Sequence, residues 1–229
     1  MSIFAIGDTH LSFGTDKPMD IFRGWSDYER RLEENWNRIV TENDTVVIAG
    51  DISWAMDIND ALEDFRFLDR LNGTKIIMKG NHDYWWATKS KTEKFLADNK
   101  IETVKILFNN AYRVGDYAIC GTRGWVFDCK SGDDEKVLLR EAGRLKLSLE
   151  AAEKLGGEPL VFLHYPPLSQ TETCREIYDA VISSGAKRCF YGHLHGASVN
   201  WAWEGEKDGV DFRLISADYL GFCPKLIAK

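Results

Sequence analysis

Residues 4–10 read Phe4-Ala5-Ile6-Gly7-Asp8-Thr9-His10, an apolar run of strand length that breaks at once into a glycine, a carboxylate and an imidazole. The same order recurs along the chain. Val46-Val47-Ile48-Ala49 runs into Gly50-Asp51, and Ile76-Ile77-Met78-Lys79 into Gly80-Asn81-His82-Asp83. Leu160–Leu163 runs into His164-Tyr165-Pro166-Pro167, and Cys189-Phe190-Tyr191 into Gly192-His193-Leu194-His195. Open α/β sheets bind their ligands just beyond the carboxyl ends of the strands. Five strands here present polar donors at that edge, and all five histidines of the chain lie in them.

The segments between these strands have helical period. Tyr28, Leu32, Trp36 and Ile39 form one apolar stripe, and Ile58, Leu62, Phe65, Leu68 and Leu71 another, closed by Asn72-Gly73. Such alternation predicts βαβ units and a largely parallel sheet. Further on, Ala111–Val114 and Tyr117–Cys120 flank Gly115-Asp116, a hairpin signal. A long helix carrying Leu138, Ala142, Leu145, Leu149 and Ala152 follows and ends at Gly156-Gly157, its charged face read as solvated. Ile177, Val181 and Ile182 mark another helix, and Lys187–Tyr191 a strand. Val199, Trp201 and Trp203 alternate with polar or small residues, as do Val210, Phe212 and Leu214, and both are read as strands. The economical packing is two sheets face to face with helices outside, in one domain spanning residues 1–229.

Composition narrows the function. The chain has 229 residues, 44% hydrophobic and 28% charged, with no run of the ~20 apolar residues that would span a bilayer. Met1–Ile6 lacks the features of a signal peptide. The five cysteines (Cys120, Cys129, Cys174, Cys189 and Cys223) are odd in number and widely spaced, and read as reduced thiols of a cytoplasmic protein. A net charge of −7 argues against a protein that coats nucleic acid, though not against one that cuts it with bound metals.

Any one Gly-Asp pair is an ordinary turn, and a lone histidine is ordinary too. Their joint occurrence at five strand ends is what points to a metal site. Asp8, His10, Asp51, Asn81, His164, His193 and His195 offer imidazole, carboxylate and amide oxygen without thiolate, a set suited to Mn²⁺, Fe²⁺ or Zn²⁺. Seven donors are too many for one tetrahedral ion and about right for two divalent metal ions sharing a carboxylate. Two such ions roughly 3.5–4 Å apart clamp both sides of an in-line phosphoryl displacement, with a hydroxide held between them.

In this order the motifs resemble the calcineurin-like metallophosphoesterase superfamily, over residues 8 to 195. The resemblance implies an α/β fold, a four-layer α/β/β/α sandwich of two mixed β-sheets flanked by helices. It implies that Asp8, His10 and His195 hold one metal, that Asn81, His164 and His193 hold the second, and that Asp51 bridges them. It also implies that His82 binds no metal but contacts the phosphate and protonates the leaving oxygen, a role suited to an imidazole. Many members carry an acid three residues beyond the bridging aspartate, paired with that histidine; here the position is Trp54, and Asp83 or Asp57 is the candidate substitute. The arginine that protein serine/threonine phosphatases place before Gly-Asn-His is replaced by Lys79, which disfavours that class.

Lys79 and Arg123 are candidates to brace a phosphate. Trp54, Trp85, Trp86 and Trp125 follow donor-bearing strands, either as core fillers or as walls that stack a planar leaving group. The expectation is a two-metal phosphoesterase acting on a small phosphomonoester or phosphodiester such as a nucleotide, with no membrane partner. The same site would serve a nuclease. A non-catalytic scaffold of this fold would be expected to have lost His82 or some of the donors, and all are present.

Overall fold

A computed structural model describes residues 1–125 and 132–229; Cys129 lies outside the described residues. The first sheet contains β1 (Ile3–Ile6), β2 (Thr45–Ile48), β3 (Thr74–Ile77) and β4 (Val104–Ile106), all parallel, with β11 (Lys225–Ala228) added antiparallel to β1. The second has the order β5-β6-β7-β8-β10-β9. Its β6 (Tyr117–Thr122), β7 (Glu158–Leu163), β8 (Arg188–Tyr191) and β10 (Val210–Leu214) run parallel. The edges β5 (Tyr112–Val114) and β9 (Gly205–Lys207) pair antiparallel.

Alternation along each strand sorts its side chains between two interfaces. Ile3, Ala5, Val47, Ala49 and Ile76 meet Ile119, Leu160, Phe162 and Phe190 in a core between the sheets. Phe4, Ile6, Val46, Ile48 and Ile77 face the other way, onto α1 (Tyr28–Ile39), α2 (Leu62–Arg70) and α3 (Lys89–Asp98). On the second sheet Cys120, Val161, Cys189, Tyr191 and Phe212 face α4 (Gly132–Leu155) and α5 (Arg175–Ser183). This is the four-layer α/β/β/α sandwich of two mixed sheets. The central parallel strands β1, β2, β3, β6, β7 and β8 are covered on both faces, which is why they read as continuous apolar runs. No helix among the described residues is long and apolar enough to cross a membrane.

Two local readings need correction. Gly196–Trp201 forms a 3₁₀ helix rather than a strand. The Ser198 hydroxyl accepts from the His195 amide and donates to the His195 carbonyl, both at 2.8 Å, and folds the chain back on itself. The second helix starts at Leu62 rather than near Ile58, because Asp57 Oδ1 takes the Asn59 amide at 2.9 Å and holds residues 57–60 in a turn.

Candidate metal centre

The strand-end turns adopt backbone that L-residues avoid. Of the nine non-glycine residues with positive φ among those described, four are candidate ligands: Asp8 (59°), His10 (45°), Asp51 (48°) and His193 (71°). Such conformations cost on the order of 1–3 kcal/mol each and collect at functional sites. Glycines permit the close approach of these turns. A Cβ on Gly50 (φ 87°) would lie 2.7 Å from Gly80 Cα and 2.8 Å from His164 Nδ1, so only a bare backbone lets the β2 and β3 turns meet. Helix α1 also contributes, since the Tyr28 hydroxyl donates to the His10 carbonyl at 2.7 Å.

The donors then converge. Asp51 Oδ2 lies 3.7 Å from His10 Nε2 and 3.6 Å from His164 Nε2. On one side His195 Nε2 is 3.4 Å from Asp8 Oδ1. On the other, Asn81 Oδ1 is 2.6 Å from His164 Nε2 and 2.9 Å from His193 Nδ1. Donor atoms of Asp8, His10 and His195, and likewise of Asp8, Asp51 and His164, all lie within 4.8 Å of one another. Asp8, His10, Asp51 and His164 are buried. The structure thus brings all seven expected donors together.

Carbonyls and carboxylates behind the ligands fix how the imidazoles present themselves. The Ala49 carbonyl lies 3.0 Å from His164 Nδ1, leaving Nε2 turned to Asn81 and Asp51. Asp218 Oδ1 lies 2.8 Å from His195 Nδ1, and Asp218 Oδ2 accepts from the Gly196 amide at 3.0 Å. Carboxylate–imidazole pairs of this kind set the tautomer of a ligating histidine and raise its basicity. The sequence reading missed Asp218. Its signal was the same strand-then-carboxylate order, β10 continuing through Ile215-Ser216-Ala217 into Asp218, without the glycine or histidine that marked the other turns.

The electrostatics ask for a cation. Burial and the Asp8 charge push the Asp51 carboxyl up to about 7. Burial opposes ionisation of Asp8 as well, yet His195, His164 and His10 hold it below the usual carboxylate range. Burial works against a charged His195, but Asp8 and Asp218 carry it up to about 10. Burial and His164 push His193 down to about 3, and burial also lowers His10 and His164. His10 Nδ1 and His195 Nε2 are buried with no hydrogen-bond partner among the described residues. Buried carboxylates facing three imidazoles that burial keeps neutral (His10, His164 and His193), with no thiolate, fit a divalent cation better than they fit a bare protein interior.

His82 stands beside this cluster. Its backbone amide donates to Asp51 Oδ1 at 2.7 Å, and its ring centroid lies 5.8 Å from that of His10 and 4.5 Å from that of Trp54. Burial, then His164, lowers its pKa. A cavity of about 390 Å³ opens over these groups, with His10, Asp51, Trp54, His82, His193 and His195 in its wall.

The hydrogen bonds of Asp83 go to groups other than the His82 ring among the described residues. Asp83 is fully buried and accepts from the Gly80, Ile52 and Ser53 amides (2.7, 2.8 and 3.2 Å) and the Trp85 indole (3.0 Å), locking the β3 turn to the β2 turn. Burial, with Asp51 nearby, pushes its carboxyl up to about 7. Lys79 and Arg123 border a separate crevice of only about 10 Å³. There Arg123 lies 3.4 Å from the buried Glu141, which also takes Arg144 at 2.5 Å, and its guanidinium sits 4.7 Å from the Trp125 ring centroid. Of the expected substrate contacts, Trp54 lines the donor cavity. Trp85 is buried against Phe65 and Trp86.

Two packed sheets carry a buried nitrogen and oxygen donor cluster at the carboxyl ends of their strands, a set of groups that could hold a metal ion. Residues 1–197 match the family model of the calcineurin-like phosphoesterases, and the chain belongs to that family. An uncharacterized protein of Methanocaldococcus jannaschii is 30% identical over 86 residues, which is 35% of this chain and 46% of that protein, less than half its length. Among solved structures, a Thermus thermophilus protein is similar over 99% of this chain and 97% of its own (TM-score 0.61, 12% identity). A phosphopantetheinyl hydrolase from Mycobacterium tuberculosis is similar over 99% and 95% (TM-score 0.58, 15% identity). These likenesses establish the fold.

Proposed function

We propose that the chain hydrolyses a small phosphomonoester or phosphodiester with the aid of two divalent metal ions. The supporting observation is the placement of Asp51 Oδ2 between His10 and His164, at 3.7 and 3.6 Å, with a donor cluster on either side. Asp8, His10 and His195 would hold one ion, Asn81, His164 and His193 the other, and Asp51 both. Bound there, the ions, of the Mn, Fe or Zn type, would neutralise the phosphate charge and act as Lewis acids.

The protein's own groups do the rest. The ester enters the cavity of about 390 Å³, whose wall includes Met19, Phe22, Trp25 and Trp54, and its phosphate meets the donors at the floor. His82 Nδ1 is sealed from solvent, which leaves Nε2 as the nitrogen that passes a proton to the departing oxygen. Asp83 fixes the backbone on both sides of His82 by holding the Gly80, Ile52 and Ser53 amides. The net charge of −7 favours small esters over nucleic acid as substrates of a cytoplasmic enzyme.

His82→Ala tests the assignment. Turnover of a 4-nitrophenyl phosphate ester should fall about 10²-fold or more, while metal content by mass spectrometry stays at the wild-type level. Equal activity would remove His82 as the acid. Absence of metal from the wild-type protein, or no hydrolysis across monoesters, diesters and a phosphopantetheinyl ester, would remove the whole reading.

A further inference from the structure

Among the described residues, no carboxylate is hydrogen-bonded to the Nδ1 of His82. This nitrogen is buried. Asp83 is occupied by backbone amides and the Trp85 indole, and Asp57 is exposed, with its Oδ1 taken by the amide and side chain of Asn59. Asp51 meets His82 through the backbone amide. Among the described ring contacts, the Trp54 indole is the nearest aromatic, at 4.5 Å and 49°, followed by His10 at 5.8 Å and Tyr84 at 6.1 Å.

Trp54 is itself held firmly. Its backbone amide donates to the Leu11 carbonyl at 2.9 Å, and an isolated bridge joins Leu11 to Ser53 next to it. Its ring stacks on His10 at 4.8 Å and 19°, and Lys17 Nζ lies 5.0 Å from the ring centroid. The Ser53 hydroxyl on the same turn bonds to the buried Asp64. The indole is therefore a fixed wall rather than a loose surface ring.

We propose that Trp54 is the positioning residue for His82, its indole fixing the imidazole by ring contact where a hydrogen-bonding carboxylate would otherwise do so. A flat wall at this distance restricts the rotation of the neighbouring imidazole, and both rings line the same cavity. It does this without adding negative charge beside Asp51 and Asp8, two carboxylates already close together. This inference rests on the reading of His82 as the proton donor.

The test uses the full chain with Trp54→Ala and Trp54→Phe, measuring three quantities. These are kcat and KM on a 4-nitrophenyl phosphate ester, bound metal per chain, and the rate at which diethyl pyrocarbonate modifies His82, mapped by mass spectrometry. With alanine, kcat should fall about 10- to 100-fold with KM within about twofold, metal content should be unchanged, and His82 should react several-fold faster. Phenylalanine should restore both kcat and the slow modification. Unchanged kcat and unchanged His82 reactivity in the alanine variant overturn the proposal. So does loss of metal together with kcat, which would make Trp54 a support for His10 instead. If the wild type hydrolyses nothing, the proposed function falls, and the His82 modification rate still decides whether Trp54 restrains that ring.

Discussion

Asp218 offers the most direct way to probe the candidate metal centre without touching an expected ligand. Its Oδ1 lies 2.8 Å from His195 Nδ1 and its Oδ2 takes the Gly196 amide at 3.0 Å, so one carboxylate orients both the ring and the chain that carries it. In Asp218→Asn one oxygen can still serve one of the two donors, but the amide NH₂ then faces the other. Asp218→Ala removes both acceptors. Losing a carboxylate behind a ligating histidine costs about 10- to 100-fold in metal affinity, or roughly 1.4–2.7 kcal/mol. The Asn variant should fall near the lower figure and the Ala variant near the upper. Calorimetric titration of the metal-free protein with Mn²⁺ reads this directly, with far-ultraviolet circular dichroism melts showing that the fold persists. Wild-type affinity in Asp218→Ala would refute the reasoning. Asp218 also lies outside the matched residues 1–197, so the experiment asks whether the C-terminal segment belongs to the site.

Two further outcomes are expected. Asp64 is buried, accepts the Phe13 amide at 2.8 Å, and burial pushes its carboxyl up to about 6 from 3.8. The native state then keeps a proton that the unfolded chain gives up between about pH 4 and 6. The resulting stability is complete below pH 4 and is lost as pH rises through 6, by up to ~3 kcal/mol. Asp64→Asn should therefore gain on the wild type in denaturant melts from pH 4 to pH 7, and a pH-independent gap would count against this. At Gly192 a Cβ would stand 3.2 Å from Asp8 Cγ and closer still to Oδ2, so Gly192→Ala should weaken metal binding about tenfold or more. Gly143→Ala, where a Cβ meets nothing, should bind metal as the wild type does, and equal affinity in both variants would dismiss the steric argument.

The sandwich was legible because its central parallel strands are covered on both sides, which writes each as an unbroken apolar run ending in a turn. Helix α1 fell on its four-residue stripe for a similar reason, with Tyr28, Leu32 and Trp36 buried against the sheet. Short edges were not legible. β4 has three residues and β11 pairs only with β1, so neither needs a strong pattern of its own. The stretch around Val199 and Trp201 misled because alternation describes side chains, whereas the Ser198 hydrogen bonds to His195 decide the backbone there. Donor positions were visible as residue types at strand ends. What the donors' neighbours do was not: that Asp83 holds amides, that Arg123 turns to Glu141 and that Asp218 backs His195 are tertiary contacts across 18 to 31 residues of chain.

The donor cluster spans a seam. Asp8, His10, Asp51 and Asn81 hang from one sheet, while His164, His193 and His195 hang from the other. A cation held among them would act as a rivet between the two halves, beside the hydrogen bonds that already cross there from the Gly7 amide to the Ile215 carbonyl and from the His193 amide to Asp8. At a hundredfold excess over its dissociation constant, such a rivet adds about 2.7 kcal/mol to the folded state. Chelation would then loosen the joint at one end, the same end at which a substrate enters.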